Sequence, residues 1–189
     1  MTQQPPFIHP DVRFRDVVQA AEVAIHLLPD DGTFPNNDSL PLLVYVGALR
    51  LPARDPAATI EALFRANHWG GSWRNGVYGF QHYHSQAHEV LGIYNGTAKL
   101  QLGGEGGVVL TVGPGDVAIL PAGTAHKNLG SSPDFRCVGA YPPGQYPDMN
   151  YGRPGERPEA DTNIARVSLP PADPIYGDQG PLVERWIEP

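Results

Sequence analysis

One cysteine, Cys137, stands in a chain of 189 residues, so no disulfide can form within the chain and a compartment that keeps thiols reduced is the expected setting. Basic residues are few. Thirteen Lys and Arg against twenty Asp and Glu leave a formal charge of −7, with a pI near 5.4. No run of Lys or Arg occurs, which argues against nucleic acid as a partner, because its phosphates are held by clustered cations. Long apolar runs are missing too. The longest, around Leu40 to Leu49, is too short to cross a bilayer, and the opening MTQQPPFIHPDVRFRD lacks the apolar stretch of a secretory signal. A cytoplasmic protein with neither membrane nor nucleic-acid partner is expected. No internal repeat is present, which argues for one barrel rather than two.

Glycine and proline are abundant, 22 and 21 residues, which points to many tight turns between short strands and hence to an all-β chain. EVAIHLL (22–28) alternates in polarity and LPLLVYVGAL from Leu40 reads as a buried strand. One helix is expected after Asp55, an N-cap followed by Pro56 at the first helical position, with Ile60, Leu63, Phe64 and Asn67 at helical spacing. From Gly76 the segments VYGFQHYH, HEVLGIYN, GTAKLQLG, GVVLTV, DVAILP, TAHKNL and DFRCVGAY follow one another at hairpin-length gaps. With the two earlier strands they predict a closed barrel or jelly roll.

Three parts are expected: an N-terminal segment (1–21), the barrel (22–141) and a Pro-rich extension (142–189). Ten of the 21 prolines fall in that last part, so little sheet can form there. RPEADTNIARVSL can hold a short helix, and Leu182, Trp186 and Ile187 predict that the tail docks on the barrel or on a partner subunit.

The chemistry concentrates in QHYHSQAHEVLG (81–92). His82 and His84 are two apart and share a strand face. Glu89 lies at an odd offset from His84, so a turn or bulge over Ser85–Ala87 is needed to bring it to that face. His88 is then turned away. His126 is a fourth candidate ligand, where Pro121 and Gly123 re-aim the strand that carries it. Tyr78 and Phe80 share the parity of His82 and are expected to face inward, packed in the core or lining the site. Asn128 shares the parity of His126 and is expected beside the metal. Arg74 is a candidate for meeting an anionic substrate at the barrel mouth. His9, His26 and His68 fit surface or internally satisfied roles, and Cys137 a small core residue.

Gly76, His82, His84, Glu89 and Gly96 fit G-x5-H-x-H-x4-E-x6-G, and Gly115, Pro121, Gly123 and His126 fit G-x5-P-x-G-x2-H, with 18 residues between. These patterns resemble the two motifs of the cupin superfamily. FPNN, RANHWGGSWRNGVYGFQHYHSQAHEVLG and HKNLGSSPDF, within a stretch from Glu22 to Tyr151, are similar to the YjlB-like bacterial cupins. The resemblance implies a double-stranded β-helix, the cupin jelly-roll barrel. It also implies one divalent metal held by His82, His84, Glu89 and His126, and pairing of two chains as a homodimer. The family pattern carries an asparagine four residues after the last histidine; here Gly130 stands there and Asn128 comes two after. Three neutral imidazoles and a carboxylate would leave a divalent Fe, Mn, Ni, Cu or Zn ion with a charge of about +1 and about two open positions. A metal-dependent oxidoreductase, dioxygenase-like and acting on a small organic molecule inside the barrel, is the leading expectation. A non-redox isomerase or decarboxylase, and a non-catalytic small-ligand sensor or store, are the alternatives.

Overall fold

The apolar runs from Leu40 and from Glu89 become strands buried on both faces, because they lie inside a six-stranded sheet with a layer packed against each side. The computed structural model describes residues 14–188, and His9 lies outside them. In chain order the strands are β1 (Glu22–Leu28), β2 (Asn37–Val46), β3 (Gly70–Asn75), β4 (Glu89–Asn95), β5 (Ala98–Leu102), β6 (Val108–Val112), β7 (Val117–Leu120), β8 (His126–Ser131) and β9 (Arg136–Tyr141). The larger sheet runs β1-β2-β7-β4-β9-β3 and the smaller runs β6-β5-β8. Every neighbouring pair is antiparallel. This is the all-β, double-sheet cupin architecture.

Alternation along the larger sheet sends successive side chains into two cores. Leu42, Val44, Leu91, Ile93 and Cys137 point into the barrel, where they meet Leu100 and Leu102 of the smaller sheet. Leu43, Tyr45, Val90, Ile119 and Val138 point the other way, into a second core. This outer core is roofed by α2 (Pro56–Ala66) through Ile60, Leu63 and Phe64, and by the C-terminal segment through Ile175, Leu182 and Trp186. A shorter helix, α1 (Phe14–Val17), precedes the strands. The cap of α2 forms as its sequence predicts: Asp55 Oδ1 accepts from the Ala58 N–H at 3.1 Å, and Pro56 opens the helix. No helix among the described residues is long and apolar enough to cross a membrane.

Two strand expectations change. VYGFQHYH does not form a continuous strand. Tyr78 O accepts from Asn128 N, and His82 exchanges main-chain bonds with His126. Four residue steps on one side therefore face two on the other, and the surplus bends out at Gly79 and Phe80. GGSWRN, which lies outside the expected strands, forms β3 against β9.

Among the described residues the Pro-rich extension contributes α3 (Glu159–Ile164) and a π-helical turn over Val183–Ile187, but no strand. Its end is pinned to the barrel. The fully buried Asp173 accepts from the Tyr45 hydroxyl (2.6 Å) and from the N–H groups of Leu182, Ile175 and Tyr176. Burial outweighs these donors and holds its carboxyl above the usual range. Trp186 donates its indole N–H to Pro41 O at 2.9 Å, and its ring lies 4.9 Å from that of His88. His88 is buried, its Nδ1 accepts from Ala122 N at 2.9 Å, and burial pushes its pKa down to about 4.

Replacing Asp173 with alanine strands four buried donors, so Asp173→Ala is expected to lower the unfolding free energy in urea by roughly 3 kcal/mol or more. It should also make the 142–189 segment cleavable by protease before the barrel unfolds. His88 carries a second expectation. Its folded pKa lies below the ordinary 6.5, so the unfolded chain takes up the proton first, and stability falls as the pH drops from 6.5 towards 4. The share lost through His88 is roughly 3 kcal/mol. Urea titrations across that range should show a shallower pH slope in His88→Gln than in the parent chain.

Candidate metal centre

The main chain brings the two histidine segments together before any side-chain preference acts. His82 and His126 form an antiparallel bridge, with His82 N–H donating to His126 O at 3.3 Å and His126 N–H to His82 O at 2.9 Å. Their rings lie 4.0 Å apart between centroids. One step along, Gly123 N–H donates to His84 O at 2.8 Å. Gly123 sits at φ 94°, and a Cβ there would lie 2.2 Å from Asn36 O, so the position demands glycine. The two histidine-bearing segments are thus stitched by three main-chain bonds.

Each of the three imidazoles is then aimed by its Nδ1. His82 Nδ1 lies 3.2 Å from Phe80 O, His84 Nδ1 2.5 Å from Asp148 O, and His126 Nδ1 3.0 Å from Thr124 O. A carbonyl only accepts, so each Nδ1 carries the proton and each neutral ring presents a bare Nε2 lone pair. One nitrogen from each of these buried rings lies within 4.8 Å of the others, close enough to share a metal ion. Burial and the neighbouring His126 push the His82 pKa down to about 3, so this ring is neutral at pH 7. At His84 burial opposes protonation, but Glu89 and the Asp148 carbonyl outweigh it and the pKa is raised.

Glu89 begins β4, and its parity with Leu91 and Ile93 turns it into the barrel. Its Oε2 stands 3.5 Å from His84 Nε2 and 3.3 Å from His126 Nε2. No hydrogen bond among the described residues satisfies this buried oxygen. The other oxygen, Oε1, accepts from the Tyr141 hydroxyl at 3.0 Å, and Tyr141 in turn accepts from Trp73 Nε1 at 2.8 Å. Burial alone would raise Glu89; the His126 and His84 imidazoles, in their protonated form, outweigh it and hold its carboxyl well below the usual range. Tyr141 is pushed the other way, beyond any working pH, by burial and the Glu89 charge, so it is a neutral donor. Trp73 lies against Gly139, where a Cβ would come within 2.2 Å of the indole.

The turn over Ser85–Ala87 is present, and its clasp comes from the Pro-rich extension. Asp148 Oδ1 accepts from Ser85 N (2.6 Å) and Gln86 N (3.1 Å), while Oδ2 accepts from Ser85 Oγ and from Asn150 Nδ2 (2.7 Å). Burial would raise this carboxyl, but the donors outweigh it and hold it low. The segment that supplies this clasp also carries the carbonyl that orients His84, a role with no motif to announce it.

The expected lining residues divide. A cavity of about 330 Å³ opens beside the cluster, and Tyr78 and Arg74 line it together with Trp73, Val77, Leu91, Tyr141, Asp148 and Met149. Tyr78 is half exposed rather than packed in the core, its ring stacked on Phe80 at 4.9 Å. Phe80 is half exposed too and does not line this cavity, because the bend at Gly79 and Phe80 carries it outward. Arg74 is turned from the cavity towards α2, with Glu61 at 2.7 and 2.8 Å and Asp55 at 3.3 Å. Asn128 does not reach the cluster. The β8 ladder slips one residue between its pairs with Lys99 and Leu100, and Asn128 caps that bulge, accepting from Gly130 N and donating to Ser131 Oγ. His88 packs outside the barrel interior as described, His68 is exposed and His26 part-buried. Burial pushes the Cys137 thiol up to about 12, which makes it inert. Parity on β9 marks Tyr141 with Cys137, and parity on β4 marks Leu91 with Glu89, so both were open to sequence reasoning.

No protein-family model matches the chain. Over 167 residues it is 41% identical to the uncharacterised protein YjlB of Bacillus subtilis strain 168, covering 88% of this chain and 98% of that one. Among solved structures, a double-stranded β-helix protein of Klebsiella pneumoniae is 13% identical, with a TM-score of 0.35 over 81% of this chain and all of that one. A cupin 2 domain-containing protein of Halorhodospira halophila is 10% identical, with a TM-score of 0.34 over 79% and 83%. The dimethylsulfoniopropionate (DMSP) lyase DddQ of Ruegeria pomeroyi is 20% identical, with a TM-score of 0.35 over 82% and 60%. On the identity and coverage of the Bacillus relative, the chain belongs to the YjlB-like family of cupins.

Proposed function

We propose that the chain binds one divalent transition metal through His82, His84 and His126 at Nε2 and through Glu89 at Oε2, and acts as a metal-dependent oxidoreductase on a small organic molecule. One observation carries the metal reading. Three buried imidazoles each have Nδ1 committed to a main-chain carbonyl, and the buried Glu89 oxygen among them has no hydrogen bond. Leaving such an oxygen and three lone pairs without a positive partner is costly, and a divalent cation satisfies all four at once. The donor set is open to Fe, Mn, Ni, Cu or Zn, and no thiolate is present to favour a closed structural zinc site.

When bound, such an ion supplies Lewis acidity and, if it is redox-active, one-electron chemistry. The chain's own residues supply the rest. Tyr141 holds Glu89 by Oε1 and leaves Oε2 directed at the imidazoles. Asp148 holds the turn between His84 and Glu89. Trp73, Leu91 and Met149 give the substrate a largely apolar wall. A cytoplasmic setting and pairing of two chains belong to the same proposal. Pairing is supported by β1, the edge strand of the larger sheet, which exposes Ile25 and Leu27.

Elemental analysis of purified protein is expected to find about one metal ion per chain, and sedimentation of the same preparation to find two chains per particle. Alanine at His82, His84, Glu89 or His126 should abolish retention of the ion. Asp148→Ala, which removes a carboxylate bonded to Ser85, Gln86 and Asn150 and keeps the carbonyl that faces His84, should weaken metal affinity about 10- to 100-fold. Full metal content in the four ligand variants would refute the centre. The iron-loaded protein is expected to consume oxygen with at least one compound in a panel of catechols, thiols, diketones and organic acids. Turnover by the zinc-loaded protein without oxygen would overturn the redox assignment.

A further inference from the structure

The cavity beside the metal centre is walled almost entirely by groups that carry no free charge. Resting on the metal reading above, we propose that it selects a compact, ring-bearing chelator with an uncharged body and rejects phosphorylated ligands. Apart from the four ligand residues, the charged groups lining it among the described residues are Arg74 and Asp148. Both are already committed. The Arg74 guanidinium is held bidentately by Glu61 and touched by Asp55, so two carboxylates face one cation and the local balance is negative. Both oxygens of Asp148 are taken by Ser85, Gln86 and Asn150.

A phosphate ester would therefore bring about two negative charges to a wall with no free cation among the described residues and with Glu89 and Asp148 nearby, and would lose its hydration without replacement. Phosphate sites are built otherwise, with free Arg forks or helix N-termini facing the ligand. The remaining wall suits a flat apolar body. Trp73 and Tyr78 offer ring faces, and Val77, Leu91 and Met149 offer aliphatic surface. The indole is fixed in place by its bond to the Tyr141 hydroxyl and by its seat on Gly139. At about 330 Å³ the cavity lies at the small end of the range of small-molecule pockets, which suits a compact ligand. Three neutral imidazoles and a carboxylate leave the ion at about +1, so a chelator bound as a monoanion completes the charge.

Trp73 reports on the cavity because the other two tryptophans, Trp69 and Trp186, are buried in the outer core. The zinc-loaded chain, kept from air, is titrated with 4-methylcatechol and with mannose 6-phosphate while tryptophan emission is followed. 4-Methylcatechol is expected to quench emission and to bind at least about tenfold more tightly than the phosphate ester, the ratio that ~1.4 kcal/mol of unpaired charge produces. Glu61→Gln, which releases one face of Arg74, is expected to raise the affinity for mannose 6-phosphate about fivefold and to leave that for 4-methylcatechol unchanged. Val77→Arg, which adds a free cation, should raise the first and lower the second. Equal or tighter binding of mannose 6-phosphate by the parent chain overturns the proposal, as does catechol binding that leaves Trp73 unperturbed, or a Glu61→Gln chain and a Val77→Arg chain that both ignore phosphate. Zinc content measured beforehand separates the two levels. A chain that takes up none of zinc, iron, manganese, nickel or copper refutes the metal reading itself, whereas a zinc-loaded chain that prefers the phosphate ester refutes only the choice of substrate.

Discussion

The antiparallel bridge between His82 and His126 is the constraint on which the rest of the centre depends. Two main-chain bonds set the segments side by side, and a pair of bridged residues projects both side chains to the same face of the sheet. Once that is done, the rings need only be rotated, and the carbonyls of Phe80 and Thr124 do so from two residues upstream in each case. His84 is different. Its Nδ1 partner, Asp148 O, lies 64 residues away in the chain, so its orientation depends on how the C-terminal extension folds over the barrel.

Two of the places where that extension meets the barrel do different jobs. At one, Asp173 and Trp186 lock it onto the outer core through Tyr45 and Pro41. At the other, Asp148 and Asn150 reach the site, Asp148 closing the Ser85 turn and Asn150 pairing with Tyr83. Anchoring in an apolar layer supplies the binding energy, and the short polar clasp supplies position. A clasp this small could not order the segment alone, since each residue fixed costs ~1–2 kcal/mol of backbone entropy.

Charge near the cavity is managed in the same way, by commitment to partners rather than by absence. Arg74 faces Glu61 and Asp55, Asp148 faces four donors, and Glu89 gives one oxygen to Tyr141. Only Glu89 Oε2 remains without a bond among them. Trp73, Tyr141 and Glu89 form a chain of donors and acceptors in which each group has one orientation that satisfies its neighbour, which favours a rigid site over an adaptable one.

The sequence by itself determined the all-β fold, the α2 cap and the four residues grouped at the centre, because each rests on local rules. Strand parity, turn chemistry and the spacing of Gly76 to Gly96 and Gly115 to His126 act over a few residues and are visible in the text. Parity also demanded a turn over Ser85–Ala87, and the turn is there. Only the tertiary structure decided what surrounds that centre. Parity failed for Phe80 because its ladder carries two surplus residues, and it left Asn128 without a place at the cluster because its amide is taken by Gly130 and Ser131 at the bulge that follows it. Such irregularities arise from pairing with a distant strand and leave no local mark. Arg74 looked free until α2 presented Glu61, and Asp148 had no role until the extension folded back. Long-range contacts of this kind are set by how layers pack, and a linear text records the layers but not their meeting.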